Sequence, residues 1–278
     1  MIPMTAQVTG SVVNIVLDIL LIFGAGPIPA LGIRGAAIAT VIGQWVAMVI
    51  TLLAVMKKYS LKGTCKPRLC KQIYGNGTCS IVTQSLYTIY IVGLNMVLKI
   101  FSEDAVTVLG IYYKIQSFFF IPLLGFQQVL LPLFSYNYGA GDRHRNRDIL
   151  KCSMTFSVAI MAVATGIFFL LPEKLVQIFS AESSIVAIGK YAFPVISISF
   201  VFAGLTIVIT SYLQGIARMK SSLFIIVLRQ IVLLVPLAWV FHFIGLNAVW
   251  WTFPVTEIIA SMTGILIIVI LHKQDRAL

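Results

Sequence analysis

Apolar residues run along this chain in long blocks, and charge is confined to the short stretches between them. Eight blocks stand out, at approximately 6–24, 33–56, 78–99, 105–135, 149–171, 185–211, 221–243 and 248–271. A helix that crosses the hydrocarbon core of a bilayer needs about 20 mostly apolar residues. Inside hydrocarbon, every backbone polar group must find its partner within the segment itself. The pattern therefore predicts an all-α fold, a polytopic membrane helical bundle of about eight transmembrane helices. The fourth block is long enough to tilt or to extend beyond the bilayer, and Pro122 and Pro132 are expected to kink it.

Composition agrees with that class. Of 278 residues, 59% are hydrophobic and 10% charged, whereas a soluble domain carries about 25% charged residues. The formal net charge is +11, which on a soluble protein would raise nucleic acid as a partner. Here the cations follow the membrane-topology pattern instead. The segment after the second block holds Lys57, Lys58, Lys62, Lys66, Arg68 and Lys71, and the one after the fourth holds Arg143, Arg145, Arg147 and Lys151. Arg218 and Lys220 follow the sixth block, and Lys273 and Arg276 lie in the tail. The alternate loops carry Arg34 and Lys174 beside the acidic Glu103, Asp104, Glu173 and Glu182. Positive loops stay in the cytosol, so each even-numbered span is expected to end there, as is the C-terminus. The expected location is the cytoplasmic membrane, multi-pass, with the lipid bilayer and not nucleic acid as the surrounding partner. The first block lacks the basic n-region and the small-residue cleavage site of a signal peptide and contains Asn14 and Asp18, so it predicts a span instead.

Cysteine chemistry adds little. Cys65 and Cys70 fall in the basic loop, where reduced thiols are expected, and with Cys79 and Cys152 they lack the tight pairing and His partners of a zinc site. No histidine stands in an arrangement with Ser, Cys or a carboxylate that would suggest an enzyme, and no cofactor is implied.

The polar residues within the apolar blocks are the candidate chemistry. Asn14 and Asp18 stand four apart and so share one helix face. A carboxylate in a membrane helix costs about 2.5–3.5 kcal/mol on insertion scales and therefore tends to face a cavity or a partner. Such a group is suited to taking up a proton or holding a small cation. In the second block Gly35, Ala39 and Gly43 form a stripe of small residues that lets two helices approach closely. Thr40 lies beside that stripe, and the short loop between the blocks can bring it near Asp18. Further on, Gly139-Ala140-Gly141 before Arg143 is expected to end the fourth helix at the cytosolic face. The remaining intramembrane polar residues are Gln84, Asn95, Lys114, Gln116, Arg229, Gln230 and Glu257. Arg229 and Glu257, on the last two spans, can pair, although Arg229 can also snorkel. Gln84, Asn95, Gln116 and Glu257 are the candidates for a substrate path. A weak internal repeat aligns residues 32–38 with 245–251, and the same register places Gln44 opposite Glu257. Repeated halves with a path at their interface are a common transporter plan.

Several segments together resemble one known family. Asn14-Ile15-Val16-Leu17-Asp18, Leu21-Ile22-Phe23-Gly24 and Gly32-Ile33-Arg34-Gly35-Ala36-Ala37-Ile38-Ala39-Thr40 look like the fifth and sixth helices of the multidrug and toxic compound extrusion (MATE) family. Tyr136-Asn137-Tyr138-Gly139-Ala140-Gly141 resembles the segment after its eighth helix, and Leu213-Gln214-Gly215-Ile216-Ala217-Arg218 with Leu228-Arg229-Gln230 resembles the junction of helices ten and eleven. The resemblance implies a two-lobe transporter fragment: residues 1–60 as the last two N-lobe helices, 61–77 as a cytosolic inter-lobe loop, and 78–278 as a six-helix C-lobe. The first four helices of the family would be missing, so a truncated chain is expected. The resemblance further implies a proton- or sodium-coupled antiporter that exports amphipathic or cationic organic compounds, with Asp18, Asn14 and Thr40 as the coupling group. Prokaryotic relatives pair the helix-five acid with residues on helices one and four that this chain does not include. Some relatives carry a helix-seven glutamate for sodium coupling, and Gln84 stands in the corresponding stretch here. The alternatives are a lipid-linked oligosaccharide flippase of the same superfamily, which the acid in the first span argues against, and a non-transporting membrane remnant.

Overall fold

The computed structural model describes the backbone of residues 2–24, 29–58 and 67–277, with side chains except at 67–73, 75–77, 79–80, 272 and 274–277. All regular structure among the described residues is helical. The helices are α1 (Ile2–Phe23), α2 (Ile33–Lys58), α3 (Pro67–Lys99), α4 (Glu103–Gly139), α5 (Arg143–Leu170), α6 (Pro172–Gln177), α7 (Ser183–Gly215), α8 (Met219–Val227), α9 (Val235–His242), α10 (Leu246–Trp250) and α11 (Thr252–Ala277). Leu228–Leu234, between α8 and α9, is a π-helix. Among the described residues eight segments are long and apolar enough to span a membrane, and they coincide with the eight predicted blocks. The chain divides into two compact units, Met1–Gln72 and Ile73–Leu278.

One boundary differs from expectation. Residues 67–77, anticipated as part of a loop, form the first turns of α3. The hydropathy signal starts later, with the span at Ile81–Lys99, because the polar opening of this helix carries no apolar pattern. Pro67 at its first position explains the start, since proline is tolerated where the N–H has no helical partner. The rest of the expected loop, with Cys65, lies outside the described residues, as do the side chains of Cys70 and Cys79.

In the first unit α1 and α2 form an antiparallel hairpin held by small residues. Gly10, Gly35, Ala39 and Gly43 are buried, while most of both helices is exposed apolar surface suited to hydrocarbon. A Cβ placed on Gly43 would lie 2.7 Å from the Gly10 carbonyl oxygen and 2.9 Å from Asn14 Cβ, so the backbones meet where no larger residue fits. The Gly35-Ala39-Gly43 stripe thus does what its spacing predicts.

In the second unit α7 is the central helix, and its apolar window is 67% buried against at most 39% for any other span. Around it Tyr112 meets the rings of Phe168, Phe193, Phe200 and Phe253 at centroid distances of 5.7–6.4 Å. Several hydroxyls buried in this core bond to carbonyls of their own helix, as Thr206 does to Phe202 O at 2.9 Å, while those of Ser157, Thr252 and Thr256 are buried without a partner. Thr165 also reaches across from α5 to Ser197 O of α7 at 3.0 Å. Such pairings remove the penalty of placing a bare hydroxyl in hydrocarbon. α4 runs unbroken through Pro122 and Pro132. It ends as expected at Gly139, with Gly141 at φ +75° and Asp142 accepting from Arg145 N at 2.9 Å to cap α5. α7 ends in a Schellman arrangement in which Arg218 N donates to Leu213 O at 2.8 Å. The left-handed residue there is Ala217, at φ 59°.

The internal repeat has a backbone counterpart. Gly32 at φ 54° precedes α2, and Gly245 at φ 138° precedes α10, at aligned positions. Only glycine takes such angles without strain.

Candidate functional site

Polar side chains gather in two places, one in each unit. In the first unit, α1 and α2 enclose an open groove of about 670 Å³ lined by Gln7, Ser11, Asn14, Thr40 and Gln44 among others. Gln7, Ser11 and Asn14 follow one another at helical spacing and so share a face. Asn14 Nδ2 donates to Thr40 Oγ1 at 3.4 Å, near the limit of hydrogen-bond range, and Thr40 Oγ1 donates to Ala36 O at 2.9 Å. Asp18 lies one turn beyond Asn14 and is half-buried, with Oδ1 shielded from solvent and without a hydrogen-bond partner. The structure thus joins Asn14 to Thr40, but no hydrogen bond links Asp18 to either among the described residues.

In the second unit a small, partly open cavity of about 30 Å³ lies among α3, α4, α7, the π-helix and α11. Tyr90 comes from α3, Tyr112, Tyr113 and Gln116 from α4, and Ser199 from α7; Arg229 and Gln230 come from the π-helix and Glu257 from α11. The wall on α4 is one face at spacing three to four, as is the pair Phe253 and Glu257 on α11. Arg229 Nε donates to Glu257 Oε1 at 2.7 Å, with the glutamate side chain 8% and the arginine 26% exposed. The other carboxylate oxygen, Oε2, and Gln230 Oε1 are buried without hydrogen-bond partners.

The π-helix positions Arg229 and Gln230. Pro236 has no N–H to offer the carbonyl four residues before it, at Val232, and its ring crowds that carbonyl. A wider turn upstream absorbs the conflict, and π-helical turns of this kind are often found at functional sites.

Of the proposed path residues, the structure brings Gln116 and Glu257 to one cavity. Gln84 is exposed and Asn95 half-buried, and neither lines it. Lys114 turns elsewhere, its Nζ 5.8 Å from the centre of the Phe179 ring. The sequence reading missed Tyr90, Tyr113 and Ser199 as wall residues. Nothing marks them in a chain where aromatic and hydroxyl side chains are common in every span.

Among the described residues, eight segments long and apolar enough to cross a bilayer define a multi-pass membrane protein. The family model MatE matches residues 79–240, more than half of the chain, and the chain belongs to that family, a family of transporters and not of enzymes. The multidrug export protein MepA of Staphylococcus saprophyticus subsp. saprophyticus is 25% identical over 280 residues, covering 98% of this chain and 61% of that protein. A structure of the MATE multidrug transporter DinF-BH matches with a TM-score of 0.82 and 28% identity, over 97% of this chain and 60% of that one. A transporter of the MOP superfamily from Pyrococcus furiosus matches in fold with a TM-score of 0.85 and 22% identity, over 95% of this chain and 60% of that one. The chain therefore spans about three-fifths of the length of the relatives it matches.

Proposed function

We propose that this chain acts within a cation-coupled antiporter that exports amphipathic or cationic organic compounds across the cytoplasmic membrane. The observation that carries the proposal is similarity to a multidrug export protein along 98% of the chain, together with a carboxyl group set inside an apolar helix pair. In this reading Asp18 exchanges a proton or sodium ion, and the Asn14–Thr40 pair holds the polar face beside it. An intramembrane acid whose oxygen lacks a protein partner is the expected form of a group that binds and releases a small cation. In this reading the C-terminus is cytosolic and the segment ahead of α3 connects the two lobes. Gln116 and Glu257 belong to the C-lobe part of the path, with Gln84 and Asn95 as further positions along it. Alternating access of a polar path to the two sides of the bilayer is the mechanism in which such groups work.

The test is export of a fluorescent organic cation from cells without their own exporters, with the protein expressed from its native gene. The expected result is efflux above the empty-vector control that collapses when the pH and sodium gradients are both dissipated. Efflux at the control level would count against the reading.

A further inference from the structure

The small cavity of the second unit has a chemical character that a place along a substrate path would not explain. Its walls are rich in oxygen. Glu257 contributes a carboxylate, Gln230 and Gln116 side-chain amides, Tyr90 and Tyr113 phenols, and Ser199 a hydroxyl. Ser199 Oγ donates its proton to Ile196 O at 2.6 Å and so presents lone pairs to any further neighbour. Two of these oxygens, Glu257 Oε2 and Gln230 Oε1, are acceptors buried without partners. Such a set of oxygens, held in a space of about 30 Å³, is what a small hard cation requires.

One side chain decides otherwise. Arg229 comes from the same π-helix and sets Nε on Glu257 Oε1 at 2.7 Å. Among the described residues no other charged side chain lines the cavity. The carboxylate and the guanidinium cancel, so a loose cation entering beside them would leave an unbalanced buried charge, which is strongly unfavourable. A neutral donor meets no such penalty. The volume suits one water molecule, which needs roughly 10–15 Å³ of accessible space and two or more polar partners. A water has two protons to donate, and the cavity wall carries two acceptors without partners, Glu257 Oε2 and Gln230 Oε1. We propose that Arg229 is the specificity-determining residue of this cavity: its tethered guanidinium takes the place of a monovalent cation at Glu257, so that the remaining space holds water and not sodium. The proposal is independent of any coupling role for Asp18, and its test reads stability rather than export.

The test is thermal unfolding of the purified full chain in detergent, in sodium chloride and in choline chloride of equal ionic strength. The wild-type chain should melt at the same temperature in both. Arg229→Gln removes the charge and leaves Glu257 uncompensated, and it should show a saturable upward shift of the melting temperature with sodium. Arg229→Gln/Glu257→Gln, neutral again, should lose the sodium dependence. Folding of Arg229→Gln in sodium but not in choline is the same expected result in its extreme form. A sodium-specific shift in the wild type, a folded Arg229→Gln chain indifferent to sodium, or failure of that variant to fold in either salt would each overturn the proposal.

Discussion

A buried ion pair costs most when only one partner is removed, because the other then remains charged and unpaired. Breaking such a pair typically costs about 3–5 kcal/mol. Arg229 keeps some contact with solvent, since its side chain is 26% exposed, so we expect about 2–4 kcal/mol for Arg229→Gln in sodium-free buffer. A double-mutant cycle by thermal or denaturant unfolding should find the double variant Arg229→Gln/Glu257→Gln less destabilised than the two single changes sum to. Additive losses would show that the 2.7 Å contact carries no coupling. Ala217 offers a change of opposite sign. It holds φ 59° at the end of α7, a conformation that costs a non-glycine residue roughly 1–2 kcal/mol. Glycine loses part of that gain to its freer unfolded chain. Ala217→Gly should therefore stabilise the second unit by about 0.5–1 kcal/mol, read as a raised melting temperature. An unchanged or lowered melting temperature would mean that the alanine methyl group makes contacts worth as much as the strain.

The α1–α2 hairpin depends on the absence of side chains at its crossing. Placing leucine at Gly43 drives its Cβ into the Gly10 carbonyl and Asn14, and overpacking of this kind costs about 1–3 kcal/mol or more. Gly43→Leu should lower the yield of a cysteine cross-link engineered between α1 and α2, whereas Val41→Leu, on an exposed position of the same helix, should leave it unchanged. Equal cross-linking in both would contradict the packing. This crossing was legible in the sequence, because Gly35, Ala39 and Gly43 repeat at a spacing that has only one helical face to occupy. The eight spans were legible for the same kind of reason, since hydrocarbon demands an unbroken apolar run. The π-helix was not. Pro236 is visible in the sequence, but its effect depends on how α8 and α9 share one continuous span, and Pro122 and Pro132 sit within an ordinary α-helix. The pairing of Arg229 with Glu257 was legible as one of two outcomes. Snorkelling and pairing differ only in where the neighbouring helices lie, which spacing along a single chain does not specify. Asp18 was legible as an acid within an apolar span, and the structure finds it half-buried, yet its separation from the Asn14–Thr40 bond depends on side-chain placement.

At the scale of the whole molecule the charge distribution predicts the topology. Residues 143–151 are rich in cations, and Glu103 opens α4 at its other end. With the native cysteines removed, a cysteine at His144 should resist an impermeant maleimide in intact cells, while one at Glu103 should react. Labelling at His144 from outside would reverse the orientation. The central claim, however, is that a carboxyl in the first unit couples a cation gradient to export, and Asp18→Asn tests it most directly. This substitution keeps the shape of the side chain and removes its ability to bind a proton or balance a cation. Initial rates of fluorescent organic-cation efflux should be compared across imposed proton and sodium gradients, with the amount of protein in the membrane matched by immunoblot. The account predicts that Asp18→Asn reaches wild-type levels in the membrane but loses gradient-driven efflux, by at least about tenfold if coupling is worth 1.4 kcal/mol or more. Efflux from Asp18→Asn at the wild-type rate, with the wild-type dependence on those gradients, would contradict it.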